Sequence, residues 1–356
     1  MMRRLLLSLI TVLISLGPIL TDVGTASAQT SLDFPIPSGH FYSQANGRGG
    51  AGGTGYAIID AFQNLPPFGR TFVPFDSAFR QFGGVPIVGF PASRVTIFPD
   101  FPIQVGQKLV LQDQPGRGVF VLNTFDILHD RGFDAFLDSI RDVPPPFSTA
   151  PDAQLPNFAA VIARHQTFLN SDPAIRAAYF GVHDPLTAFG LPMGFKDYGN
   201  VFVIRSQRSA FQHWRVDVGP NKAGSVTIVN GGDIGKEVGL FPAPAVVPEG
   251  PPNFNSNLIV LQPGTNQTVR SLIVVGGYAR LFEAAGNFEL RNAAGQVIAR
   301  GAFQAVVGTS PDFARFDFTV PFAVPSAQAG TLTLFSLSPA TGARINVVNV
   351  PLTLSP

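Results

Sequence analysis

The 356-residue sequence predicts an α+β multi-domain chain, in which a mixed α/β region with two diverged repeat units precedes an all-β sandwich. Three observations carry this. Short apolar runs at β spacing, separated by turn residues, fill residues 258–356. Before them, helical periodicities alternate with further β-type runs. Within that earlier region a set of residues recurs at an offset of about one hundred positions.

The chain opens Met1-Met2-Arg3-Arg4, runs apolar from Leu5 to Leu20 and reaches a small-residue stretch ending Ala26-Ser27-Ala28. A basic tip, a short apolar core and an Ala-x-Ala site are the parts of a secretory signal, so residues 1–28 are expected to be removed. Ser8, Ser15, Gly17 and Pro18 interrupt the apolar run, which is short for a membrane span of about 20 residues. No second long apolar run follows, so no membrane association is expected after cleavage. Arg3, Arg4 and Asp22 leave with the signal, and 22 basic face 22 acidic residues in the remainder. A chain without excess charge has little long-range field, which argues against nucleic acid and acidic membrane surfaces as partners. The absence of Cys excludes disulfides, thiol chemistry and a lipid-modified signal. Burial must therefore supply stability, and 33 Phe provide apolar surface for it.

Residues 29–55 read as a flexible N-terminal segment, because Asn46–Gly55 is glycine-rich. Residues 56–146 read as a first α/β repeat unit closed by Val143-Pro144-Pro145-Pro146. Residues 147–241 read as a helical segment followed by the second unit. Pro242, Pro244, Pro248, Pro251 and Pro252 mark 242–257 as a proline-rich linker, since proline fixes φ and lacks a donor.

In the first region, Asp76–Gly84 predicts a short Asp-capped helix stopped by glycine. Phe133, Phe136, Leu137 and Ile140 predict a helix ending before Pro144. Phe158, Val161, Ile162, Phe168 and Leu169 are expected on one helical face. Asp172-Pro173 starts another helix, with Asp as cap and Pro in the first turn, running Ala174–Phe180 to Gly181.

The echo aligns Gly89-Phe90-Pro91 with Gly190-Leu191-Pro192, Gln107 with Gln207, and Leu111-Gln112 with Phe211-Gln212. It continues from Gly118–Asn123 to Gly224–Asn230 and from Asp126-Ile127 to Asp233-Ile234. Each unit then has a Gly-x-Pro turn, a few strands and an Asn…Asp-Ile exit. The stretch Gly83-Gly84-Val85-Pro86-Ile87-Val88-Gly89-Phe90-Pro91 resembles the LGFP-type repeats of bacterial cell-wall-associated proteins. Val88 stands where that family has leucine, and the second unit lacks the Gly-Gly and has Leu191 for the phenylalanine. More broadly, Tyr56–Pro146 and Ala177–Pro242 are similar to uncharacterised exported bacterial proteins, a likeness that implies no activity.

Seven β runs follow the linker: Leu258–Leu261, Thr268–Val275, Asn287–Arg291, Gln296–Ala302, Phe313–Val320, Thr331–Leu337 and Arg344–Leu352. In the fifth, Ala314, Phe316, Phe318 and Val320 point one way and Arg315, Asp317 and Thr319 the other. Gly264, Gly286, Gly295, Gly330 and Gly342 fall between the runs, where turns are expected. The segments Val274–Arg280, Phe282-Glu283 and Phe288–Gly295, with the closing Val350-Pro351-Leu352, resemble the immunoglobulin-like domain first described in bacterial spore-germination proteins. The resemblance implies a seven-stranded sandwich with no enzymatic role, and does not imply sporulation, since the module is widely reused. Gly276-Gly277 is expected at a strand bend or bulge.

Few residues point to chemistry. Gly47–Gly52 has G-x-G-x-x-G spacing but no strand feeds it, so a loop is the plainer account. Asp126 and Asp130 would share a helix face near His129, as acids of a hydrolase or as solvated residues of a capped helix start. Asp233 recurs at the Asp126 position, which favours a structural role such as an Asx-type turn. No histidine pair has metal spacing and no G-x-S-x-G elbow is present, so neither metal nor cofactor is expected. Phe211-Gln212-His213-Trp214, with Tyr198 upstream, holds the only Trp. Strand alternation puts Phe211 and Trp214 on opposite faces, so one of them is expected to be exposed for stacking on a sugar. The preferred reading is a non-catalytic exported protein that binds a cell-wall glycan or surface protein. Its rivals are a secreted polysaccharide or peptidoglycan hydrolase using Asp126, Asp130 or Asp233, and adhesion by strand pairing at the sandwich edges.

Overall fold

The computed structural model describes residues 33–43, 54–307 and 311–356. The expected signal (1–28) and the G-x-G-x-x-G stretch (47–52) lie outside the described residues.

The N-terminal segment is not loop throughout. Strands β1 (Asp33–Ile36) and β2 (Gly39–Ser43) form a hairpin, and β2 pairs antiparallel with β3 (Gly55–Leu65). β3 pairs on with β4 (Gly69–Pro74). Tyr56, Ala57, Ile58 and Ile59 of β3 are all buried, so both faces of this strand need cover. Ala57, Ile59 and Ala61 find it against Ile259, Leu261, Tyr278 and Phe313 of the C-terminal region, while Ile58 and Leu65 face a different core. The strand that opens the expected first unit is thereby built into the sheet of the sandwich.

Helices α1 (Phe75–Gln81) and α2 (Gly84–Val88) follow. Asp76 does not cap α1: it is fully buried, paired with Arg80 and with His40 Nδ1 at 3.1 Å. Strands β5 (Thr96–Ile97), β6 (Pro102–Val105), β7 (Val110–Gln114) and β8 (Gly118–Val121) then make a four-stranded antiparallel sheet, followed by α3 (Thr124–Asp130) and α4 (Asp134–Ile140). After α5 (Phe158–Gln166) and α6 (Pro173–Phe180), the short α7 (Pro185–Phe189) leads into a second four-stranded antiparallel sheet. Its strands are β9 (Pro192–Asp197), β10 (Val201–Ser206), β11 (Ala210–Trp214) and β12 (Val226–Ile228), and α8 (Gly231–Glu237) closes it. Asp172 caps α6 as expected, accepting from Ile175 N at 2.9 Å, and Asp184 caps α7 through Thr187 N. The face expected from Phe158 to Leu169 does not form. α5 gives way to a 3-10 turn at Thr167, which takes Phe168 and Leu169 off its helical face; Leu169 is buried, while Phe158 at the start of α5 is 64% exposed.

The two four-stranded sheets match in detail. Each is entered through a positive-φ glycine, Gly89 or Gly190, where a Cβ would meet Cβ of Gln107 or Gln207 at 2.8 Å in both cases. Gln107 Oε1 accepts from Phe90 N and Gln207 Oε1 from Leu191 N. Each sheet also holds the other's exit helix: Gln207 O accepts from Phe125 N at 3.0 Å, and Gln107 O from Asp233 N at 3.1 Å. Both sheets are covered on both faces. Leu111, Val121, Ile204 and Phe211 belong to one core, and Ile103, Val110, Val203 and Trp214 to the other.

The linker is packed rather than free. After a 3-10 turn at Ala243–Val246, Gly55 and Glu249 exchange two backbone bonds, and Tyr56 Oη donates to Val246 O at 2.6 Å. Beyond it lie β13 (Asn253–Phe254), β14 (Leu258–Gln262), β15 (Gln267–Val269), β16 (Ile273–Ala279), β17 (Ala285–Arg291), β18 (Val297–Gln304), β19 (Phe313–Val320), β20 (Gln328–Leu337) and β21 (Arg344–Leu354). One sheet runs β1-β2-β3-β19-β16-β14-β13, with β4 on β3 and a parallel β3–β19 junction at Ala61↔Phe313 and Phe62↔Ala314. The facing sheet runs β15-β21-β20-β17-β18. The run expected at Thr268–Val275 is two strands, one in each sheet, because the chain crosses between sheets at Arg270–Leu272. Gly276-Gly277 does lie at a bulge, opposite the register shift between Val260 and Gln262. Gly286 and Gly330 are inside strands, where the Phe303 and Leu354 side chains cover them. No helix of the described residues is long and apolar enough to cross a membrane.

Candidate site: a cavity beside helix α8

A cavity of about 740 Å³ opens beside α8, within the size range of small-molecule sites. Ile87, Ala178, Val226 and Ile228 give it an apolar floor, and Asp233 and Glu237 stand on its α8 wall. They are four residues apart on one helix and so share that wall. Glu237 is taken up by an ion pair with Arg141, another lining residue. Burial raises the Asp233 carboxyl above its ordinary value, against the opposing field of Lys236. Burial lowers the Lys108 ammonium, whose Nζ donates to Pro86 O at 2.6 Å.

The other expected acids are elsewhere. Asp126 is half-buried in α3, where Gln207 Nε2 donates to its Oδ2 at 3.1 Å. Burial pushes its carboxyl up to about 6, against the opposing effects of Arg205 and Gln207. Asp130 is exposed on the same helix. Neither lines the cavity, and neither side chain caps α3, whose N-cap is Asn123. The recurrence of Asp at 126 and 233 is not an Asx turn. It is the backbone N–H at each position that meets the opposite sheet.

The aromatic cluster is also placed differently from expectation. Trp214 is 7% exposed and Phe211 0%, because β11 has a core on each face. Trp214 Nε1 donates to Thr227 Oγ1 at 2.9 Å, and Thr227 lines the cavity. Tyr198 is half-buried, with its hydroxyl donating to Asp138 and Lys196 Nζ 4.5 Å from its ring centre. No aromatic of this set presents an open ring face. Among the described residues no group of three His, Asp or Glu side chains is placed to hold a metal ion.

Sequence reasoning missed Lys108, Arg141 and Glu237. A signal existed for two of them, since extending the echo aligns Lys108 with Arg208 and Asp130 with Glu237. Arg141, the C-cap residue of α4, had none.

No curated protein matches the chain. Residues 257–343 match the family model described as the immunoglobulin-like domain of bacterial spore germination, so the C-terminal sandwich is a domain of that kind.

Proposed function

We propose that the chain is an exported, non-catalytic protein of the cell envelope or extracellular space that binds or scaffolds at the cell surface or wall. The observation that carries this is the cavity beside α8, whose two carboxylates stand on one helix instead of facing each other. Two-carboxylate glycoside hydrolysis needs its acids on opposite sides of the scissile bond. With Glu237 paired to Arg141 and Asp126 tied to Gln207, this geometry favours holding a ligand over cleaving one. The matched hydrogen bonds at Gln107 and Gln207 support reading the two small sheets as diverged copies of one unit. The signal-like N-terminus and the Cys-free composition support export.

The test has two parts. The full chain, expressed in a bacterial host, is expected outside the cytosol with a new N-terminus at Gln29. The mature chain is expected to be retained on purified cell walls or wall polysaccharides, with no sugar release. Cytosolic retention of residues 1–28, or passage through every wall fraction without delay, would overturn the reading.

A further inference from the structure

The cavity beside α8 carries four ionic side chains, Lys108, Arg141, Asp233 and Glu237. Arg141 and Glu237 neutralise each other. Lys108 and Asp233 do not. The Lys108 ammonium has only the neutral Pro86 carbonyl, and the Asp233 carboxylate, though it lies in the field of Lys236, has no hydrogen-bond or ion-pair partner among the described residues. Their backbones are neighbours, since Asp233 N donates to the carbonyl of Gln107, the residue before Lys108. One spare cation and one spare anion therefore border the same cavity, above the apolar floor of Ile87, Val226 and Ile228.

The corresponding pair in the other half of the region is not spare. Arg208, which aligns with Lys108, gives Nε to Asn123 Oδ1 at 2.7 Å and Nη1 to the carbonyls of Leu186 and Thr187. Asp126, which aligns with Asp233, accepts from Gln207. In that half the protein supplies several hydrogen-bond partners for the cation and one for the carboxylate. In the half with the cavity it leaves both partly desolvated, a cost that a ligand supplying both opposite charges removes.

We propose that this cavity binds a small zwitterion, a free amino acid or short peptide with unblocked ends and a compact apolar side chain. Its ammonium meets Asp233, its carboxylate meets Lys108, and its side chain lies on the Ile87–Val226–Ile228 floor. This assignment rests on the binding reading of the cavity given above.

The test uses the mature full chain and two readouts, calorimetry and Trp214 fluorescence, which senses the cavity through Thr227. The probes are alanine, leucine and alanyl-alanine of both hands, each with its N-acetyl and C-amide derivative. Saturable binding of the free forms is expected, with a loss of about tenfold or more on blocking either end. Asp233→Asn is expected to erase the penalty for N-acetylation, and Lys108→Met the penalty for amidation. Lys108→Arg keeps the charge but is expected to fill the space as Arg208 does, and to abolish binding with the melting temperature maintained. Equal binding of blocked and free forms, or unchanged selectivity in both substitutions, would overturn the proposal. Failure of every zwitterion while wall retention persists would overturn it as well, and would leave the binding reading standing.

Discussion

Gln107 and Gln207 make the same backbone contacts, whereas Val105 and Arg205, two residues before them, share hairpin register and complete burial but neither size nor charge. In the second small sheet Arg205 reaches across to the first unit's exit helix. Its Nη2 donates to Phe125 O, its Nη1 to Asp134 Oδ1 at 2.9 Å and Pro144 O at 3.1 Å, and its guanidinium lies 5.8 Å from the Phe125 ring centre. In the first small sheet the equivalent slot is closed by smallness. Gly232 stands where the other helix has Phe125, and its Cα is so close to the Gly106 carbonyl that a Cβ would overlap the oxygen. Corresponding backbone bonds, from Asp126 N to Gln207 O and from Asp233 N to Gln107 O, thus hold both helices, and side-chain size and charge decide how each slot is filled. On the Arg205 side the charged groups are consumed internally. On the Gly232 side a cavity remains with Lys108 and Asp233 beside it.

Removing the large filler tests this comparison most severely. Arg205→Ala leaves Asp134 without its guanidinium partner and removes a donor from the carbonyls of Phe125 and Pro144, and is expected to cost about 4 kcal/mol in chemical denaturation. A loss near zero would mean that the ion pair has no net worth in this slot. Next, Gly232→Ala is expected to cost about 3 kcal/mol, because the neighbour that must give way is backbone. An alanine accepted without loss would show that the close approach is not required.

The third prediction concerns pH. The Asp126 carboxyl is pushed up to about 6 from an ordinary 3.8. Between those values the folded chain keeps a proton that the unfolded chain has lost, so stability falls as pH rises through that window and the penalty is complete above it. Asp126→Asn retains an acceptor for Gln207 and is expected to raise stability at pH 7 by about 2 kcal/mol while flattening the slope between pH 4 and 6. Asp113, also pushed up to about 6 by burial, should leave a residual slope. A melting-temperature series against pH that is identical for parent and variant would rule this out. The smallest effect separates the two glutamines. Gln207→Ala loses bonds to Leu191 N and Asp126 and is expected to cost about 2 kcal/mol. Gln107→Ala loses one 3.4 Å bond and is expected to cost under about 1 kcal/mol. Equal costs would show that the side chains, like the backbones, are equivalent.

Much of the local structure was legible in the sequence. Asp172-Pro173 and Gly181 bracket α6 because capping and proline geometry act within one turn. The alternation of Ala314, Phe316 and Val320 against Arg315 and Asp317 fixes β19, since a strand's period is local. The candidate site was less legible. Alternation correctly put Phe211 and Trp214 on opposite faces, but whether a face is open depends on what packs against it. The same limit hid the role of Arg315. It points away from the sandwich core yet is nearly buried, between Glu249 of the linker and Asp317, in the seam where the linker meets the sheet.

By itself the sequence determined the C-terminal sandwich, several of the helices before it, and the paired pattern around Gln107 and Gln207. All of these depend on periodicity, capping or direct self-similarity along the chain. Only the tertiary structure decided that β3 is shared with the sandwich, that the proline-rich stretch is packed, and that Asp233, rather than Asp126, borders a cavity. Those outcomes turn on burial between residues far apart in sequence, where apolar area and desolvation, not local propensity, set which faces close.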